Sequence, residues 1–261
     1  MELFDFAYCP SWDRKLSLLA SIALPEVWGD AVAGRSLAIL KSYIFHTFNK
    51  VYVEYSAAEE AEKNNILYIS ADKSVCVFNT GLFDKSYEPI FATFLTNDPG
   101  QRQDWKLQSF LTTYQAAVLG YPLPRRADYF SDPSLLIFNT HYTVFPQYDH
   151  ILSEAENLSR FPSQVRSMPY LQIKGLFDGA LKNTIKRIES NYKTAVPQYY
   201  RGQIQLLIPI CLTNNEVPDL ALALSREENA GRYIGRTCLT MKMAYNNARL
   251  IVRPDSDWLK P

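Results

Sequence analysis

The chain has 261 residues, of which 47% are hydrophobic and 21% charged. That supplies a sizeable core and excludes a disordered or fibrous chain. Lys plus Arg and Asp plus Glu stand at 27 each, so no global field exists to coat nucleic acid or an anionic membrane, and a polyanion has to meet a local basic patch.

Ser11 is placed to cap a helix that starts at Trp12 and carries Leu16, Leu19 and Ile22 on one face. Pro25 ends that helix, and residues 28–30 read as a turn. From residue 36, Leu37, Leu40, Ile44, Phe48, Val51, Tyr55 and Ala58 recur every three or four positions. That period predicts a long amphipathic helix reaching toward residue 63, with a break near Asn49 where Val51-Tyr52-Val53 is β-prone.

Asn64-Asn65 stops the helical pattern, and a meander is expected over residues 66–111. Runs at 66–70 and 75–79 flank a four-residue loop as a hairpin. Residues 90–95 and 105–111 follow, separated by the turn Asn97-Asp98-Pro99-Gly100. Residues 135–144 read as strand-like, closed by Pro146, and residues 153–167 as loop with one helical turn.

The helical period returns from Leu171. Ile173, Phe177, Ala180, Leu181, Ile185, Ile188 and Tyr192 line one face, and Lys186, Arg187 and Lys193 crowd the C-terminal end, where positive charge complements the helix dipole. A β run over 203–212 follows, in which Pro209 points to an edge or a bulge. Residues 220–225 and 236–243 form a hairpin around Asn229-Ala230-Gly231, and residues 245–252 a strand or short helix. Trp258 is a candidate anchor for the tail at 255–261.

No internal repeat, low-complexity segment or linker is evident. The expected fold is therefore one α+β domain, with antiparallel sheets flanked by an N-terminal helical part (about 1–63) and one long central helix, the C-terminal helix-plus-sheet part covering 170–252. No apolar run is long enough to cross a bilayer and the N-terminus lacks the basic, then apolar, pattern of a signal peptide, so neither a membrane partner nor secretion is expected. Cys9, Cys76, Cys211 and Cys238 are scattered, as free thiols of a reducing cytoplasm are.

Dinucleotide, Walker and nucleophile-elbow motifs and zinc spacings do not occur, and no cofactor is indicated. The residue types that remain are His141, His150 and Lys193 as candidate catalytic groups, although Lys193 lacks the Asp-Gly companion of a nucleotidyl-accepting lysine. Three polar clusters offer ligand contacts. One is Asn79-Thr80-Gly81 with Tyr87; the second is Lys193 with Gln198, Tyr199, Tyr200 and Arg201; the third is Tyr245-Asn246-Asn247-Ala248-Arg249. Amides and arginines pair with bases and phosphates, and tyrosines stack. The same residue types also make turns, helix ends and core rims.

Long phrases resemble one family. They include Phe78-Asn79-Thr80-Gly81-Leu82, Arg126-Ala127-Asp128-Tyr129-Phe130, Tyr148-Asp149-His150-Ile151-Leu152, Asn191-Tyr192-Lys193-Thr194-Ala195-Val196-Pro197-Gln198-Tyr199-Tyr200 and Tyr245-Asn246-Asn247-Ala248-Arg249-Leu250. In that order they are similar to the family catalogued as domain of unknown function 3825, across nearly the whole chain. The resemblance implies an RNA or nucleotide context, by the company such domains keep. The expectation is an RNA- or nucleotide-binding protein, with phosphoester hydrolysis as its reaction if it has one. The alternative is a non-catalytic protein-interaction domain, and neither reading sets an oligomeric state.

Overall fold

A computed structural model describes residues 1–29, 37–251, 253–254 and 258–259. The start of the second predicted helix at residue 36, Asp30 of the predicted turn, Val252 and most of the tail fall outside them. The chain divides into two compact units, Met1–Asp128 and Tyr129–Pro261, and each is described by itself.

The first unit runs α1 (Leu3–Phe6), β1 (Ala7–Tyr8), α2 (Trp12–Ile22), α3 (Ala38–Ala57), α4 (Glu60–Ile66), β2 (Tyr68–Ile69), β3 (Val75–Phe83), β4 (Pro89–Thr96), β5 (Trp105–Thr112) and α5 (Thr113–Val118). The strands lie in the order β1-β5-β4-β3-β2. β2 to β5 form the expected antiparallel meander, and β1 joins β5 in parallel.

Alternation along the strands divides the apolar side chains between two faces. Phe78 and Phe94 meet Phe48 of α3, with ring centroids 5.3 and 6.1 Å apart, and Phe6 stacks on Trp105 at 5.9 Å. On the other face Val77 and Phe91 pack with Ala116 of α5.

Local expectations needed three corrections here. α3 continues through Asn49, and the chain breaks instead between α3 and α4. Ser11 precedes α2 but at φ 53, in the left-handed region, and makes no side-chain cap. The helix α5 was not expected, although Thr112 and Gln115 form a full capping box at its start.

The second unit contains a 3-10 turn (Pro133–Leu136), β6 (Thr143–Pro146), a π-helical turn (Asp149–Ser153), α6 (Ala155–Leu158), α7 (Ser163–Arg166), α8 (Tyr170–Ser190), a 3-10 turn (Tyr192–Thr194), β7 (Val196–Tyr200), β8 (Gln203–Ile210), β9 (Leu220–Glu227), a 3-10 turn (Glu228–Ala230), β10 (Arg232–Leu239) and α9 (Met241–Arg249). The strand order is β6-β10-β9-β8-β7.

α8 buries Ile173, Phe177, Ala180, Leu181, Thr184 and Ile188, and its apolar side chains pack with Leu206, Ile208 and Ile210 of β8 and Leu220, Leu222 and Leu224 of β9. Ile185 is partly buried in the same cluster, but Tyr192 lies beyond the helix and is exposed. Trp258 anchors as expected, its indole N–H donating to Thr194 O at 2.9 Å.

The strand expected over 135–144 is replaced by the 3-10 turn and the short β6. The strand expected to reach residue 243 ends at Leu239, where Thr240 caps α9 by accepting from Met243 N. Pro209 lies on neither an edge strand nor a bulge. β8 is an inner strand, but the pairing with β7 stops at Leu207, so the missing N–H of Pro209 leaves no ladder bond unmade on that side.

The two units have one topology, although the sequence shows no repeat. In each, the first strand pairs in parallel with the last of a four-stranded antiparallel meander, and a short helix follows. The last strand of each carries a one-residue bulge, at Gln108 in β5 and at Arg236 in β10. Both bulged residues stand four positions before the threonine, Thr112 or Thr240, that caps the following helix. The chain is thus a structural duplication in which packing geometry is kept and residue identity is not.

Candidate functional site

In the second unit, Pro146 at the end of β6 and the π-helical turn after it border a cleft of about 820 Å³. Gln147, Tyr148, Asp149, His150, Glu154, Tyr170 and Arg236 complete its lining. The wide turn, a form that recurs at functional sites, brings His150 Nδ1 onto Glu154 Oε1. A carboxylate at Nδ1 holds the neutral ring with its proton on that nitrogen and its basic lone pair at Nε2.

Glu154 is held in turn. Buried Asn157 donates from Nδ2 to His150 O at 3.0 Å and to Glu154 Oε2 at 3.4 Å. Asn157 Oδ1 accepts from Thr237 Oγ1 at 2.6 Å and from Arg160 Nη1 at 2.9 Å.

Arg236 enters the cleft from the bulge in β10. A bulge re-aims a side chain out of the alternation of its strand, and here the residue is exposed. No ion pair or side-chain hydrogen bond engages Arg236 among the described residues. The matching bulge in the first unit bears neutral Gln108, so the bulge belongs to the fold and the cation is particular to the second unit.

Tyr148 forms part of the wall. Its hydroxyl donates to Asp178 Oδ1, and Lys174 lies 4.2 Å over its ring and 2.8 Å from Asp178 Oδ2. Burial, and then the bond to Asp178, push the phenol above its usual range, so it stays protonated. Burial acts to raise the Asp178 carboxyl, but hydrogen bonds from Lys174 and Tyr148 outweigh it and hold that group below the usual range.

A family model described as Domain of unknown function (DUF3825) matches residues 19–258. The chain belongs to this family. No curated protein and no solved structure matches it. Among the described residues no helix is long and apolar enough to cross a membrane, and no group of three or more His, Cys, Asp or Glu is gathered to hold a metal ion.

The other residues singled out in this DUF3825 chain have structural surroundings. Asn79 is buried, its Oδ1 accepting from Gly81 N at 2.9 Å and its Nδ2 donating to Pro124 O at 3.1 Å. Thr80 donates to Ile90 O and accepts from Leu82 N. The close approach at Gly81 is to Tyr43, whose Oη would lie 2.6 Å from an added Cβ. Tyr87 is exposed in a turn at φ 62, where Asp84 Oδ1 accepts from Ser86 N and Glu88 N.

In the second unit, Asn247 Nδ2 donates to Gln198 Oε1 at 3.1 Å, Gln198 Nε2 to Gln205 Oε1 at 2.7 Å, and Gln205 Nε2 to Ser225 Oγ at 3.0 Å. Two of the three polar clusters therefore meet, but as an amide ladder across β7, β8 and β9. Gln198 is 1% exposed, and Arg249 is also buried. Asn246 Oδ1 is buried without a hydrogen-bond partner among the described residues. Tyr199 packs edge-on against Tyr129 at 4.9 Å.

Arg201 and Gly202, at φ 47 and 85, form the two-residue turn between β7 and β8. The Arg201 guanidinium lies 5.3 Å over Tyr200. Lys193 and His141 are exposed in turns whose backbones bond to Asn191 Oδ1 and Asn139 Oδ1.

Of these residues only His150 lines the cleft. Its acidic partner is Glu154, four positions on, and not the adjacent Asp149. The His150-to-Glu154 spacing is visible in the sequence, but reading 153–167 as loop concealed it. Arg236 has no sequence signal, because its aim depends on a bulge.

Proposed function

We propose that this protein binds RNA or a nucleotide through a phosphate in the cleft beside the π-helical turn, and hydrolyses a phosphoester there. The observation that carries the reading is the convergence of Arg236, an arginine without an ion pair among the described residues, with a carboxylate-oriented histidine, His150, in one cleft. A guanidinium fork matches two phosphate oxygens. Tyr170, 42% exposed, offers a stacking face for a base.

In the proposed reaction His150 Nε2 takes a proton from the attacking water as its oxygen bonds to phosphorus. The bond from phosphorus to the leaving oxygen breaks, and the imidazolium returns the proton to that oxygen. Glu154 stabilises the imidazolium between the two steps. We place this activity in a reducing cytoplasm, which four free cysteines suit.

The test is titration and turnover with mononucleotides and short RNAs. Arg236→Ala is expected to weaken binding about tenfold or more, and His150→Ala to lower turnover by roughly 10²–10⁴ with binding retained. Absence of binding to every nucleotide and RNA tried would remove the reading.

A protein-interaction domain is the second reading, favoured by one feature of the first unit. Tyr114 and Val118, four residues apart on α5, are 77% and 67% exposed, with Leu119 beside them. That reading expects Tyr114→Ser with Val118→Ser to abolish capture of a protein partner and leave nucleotide titrations blank.

A further inference from the structure

The charges around the cleft favour one kind of phosphate over the others. Two acids and two bases stand among its lining residues: Asp149 and Glu154, His150 and Arg236. Lys174, the nearby cation of the wall, is committed to Asp178. A bound phosphate therefore meets one cation without an ion pair among the described residues, Arg236, and two carboxylates, of which Glu154 is engaged by His150.

A phosphodiester carries one negative charge and two non-bridging oxygens, which a single guanidinium fork satisfies. A terminal phosphate carries about 1.5–2 charges near pH 7 and a third oxygen, and a triphosphate carries more. Those extra charges would face Asp149 and Glu154, with no further lysine or arginine among the described lining residues to meet them.

Resting on the phosphate-binding reading above, the geometry points to a ligand class: the cleft selects a singly charged phosphodiester, and discriminates against terminal phosphates and polyphosphates by repulsion from Asp149 and Glu154. Arg236 attracts and the two acids reject, so specificity here includes a repulsive part. The diester comes either from an internal linkage of an RNA chain or from a cyclic nucleotide, which share this charge and oxygen count.

The experiment is a set of calorimetric titrations of the full chain with a dinucleoside monophosphate, a 2′,3′-cyclic nucleotide, a nucleoside 5′-monophosphate and the matching triphosphate. His150→Ala protein is run alongside to prevent turnover. At least one diester is expected to bind about tenfold tighter than the triphosphate, the size of one unfavourable unit-charge contact at a partly exposed carboxylate. The diester that leads identifies the source.

Asp149→Asn and Glu154→Gln, each checked for folding by circular dichroism, are expected to narrow the gap by strengthening triphosphate binding. A triphosphate that binds wild type as tightly as either diester overturns the charge argument and leaves phosphate binding standing. A diester preference unchanged in both variants also overturns it, since the acids would then not be its source. If no phosphate binds, the underlying reading fails and this inference falls with it.

Discussion

Gly81 combines a backbone at φ +73 with a space already filled, since an added Cβ would lie 2.6 Å from the Tyr43 hydroxyl. Gly81→Ala is expected to destabilise the protein by roughly 2 kcal/mol or more, through left-handed strain and overpacking together. Urea unfolding measures it, and Tyr43→Phe in the same background should recover the steric part and leave the strain. Asp72 makes a pH-dependent case. Hydrogen bonds from Ser70 and then Ser74 hold its carboxyl at about 2, against 3.8 ordinarily. Because the folded value is the lower one, its contribution is complete above about pH 4 and disappears as pH falls through 2. A carboxyl carbon NMR titration with a midpoint near 4 would refute this. The sequence showed the segment around Asp72 as a hairpin loop and showed Asn79, Thr80 and Gly81 as chemically capable. It could not show that their donors and acceptors are used by Pro124 O, Ile90 O and backbone N–H groups, because a polar side chain does not name its partner.

The amide ladder from Asn247 through Gln198 and Gln205 to Ser225 ties α9 to three strands. Removing a buried member leaves its neighbours' polar groups unpaired, so Gln198→Ala should cost about 1–3 kcal/mol. Thermal unfolding measures this loss, and a cost near zero would mean that water or repacking replaces the amide. Thr112→Ala, which breaks the α5 capping box, should cost about 1 kcal/mol. Long periodic elements were legible: α8 and the strands β3, β4, β5, β8 and β9 stand close to where their patterns put them. Short elements were not. β6 has four residues and exists because β10 offers it a parallel partner, with Thr143 opposite Arg232. The π-helical turn has no hydrophobic period, and its width is held by contacts such as that from Asn157 to His150 O.

All four cysteines are free, so the stability of the fold rests on packing and hydrogen bonding. Burial pushes the Cys9 thiol up to about 12 despite Lys15 nearby, and it raises the buried Cys76 and Cys238 thiols as well. Urea midpoints with and without dithiothreitol should therefore coincide, and labelling of Cys76 and Cys238 at pH 8 should await unfolding. Composition, hydrophobic period and turn residues determined the α+β class, the meander and the central helix, and the resemblance of long phrases pointed to the DUF3825 membership. Each of these is carried by local patterns or by long phrases that survive without knowledge of neighbours. The duplication of topology, the aim of Arg236 and the pairing of His150 with Glu154 came only from the folded chain. A repeat in strand order constrains packing and not residue identity, so it leaves Gln108 and Arg236 at equivalent bulges with different chemistry. A site assembled from a bulge, a π-helical turn and a helix start depends on contacts between segments distant in sequence, and those contacts exist only once the sheet has formed.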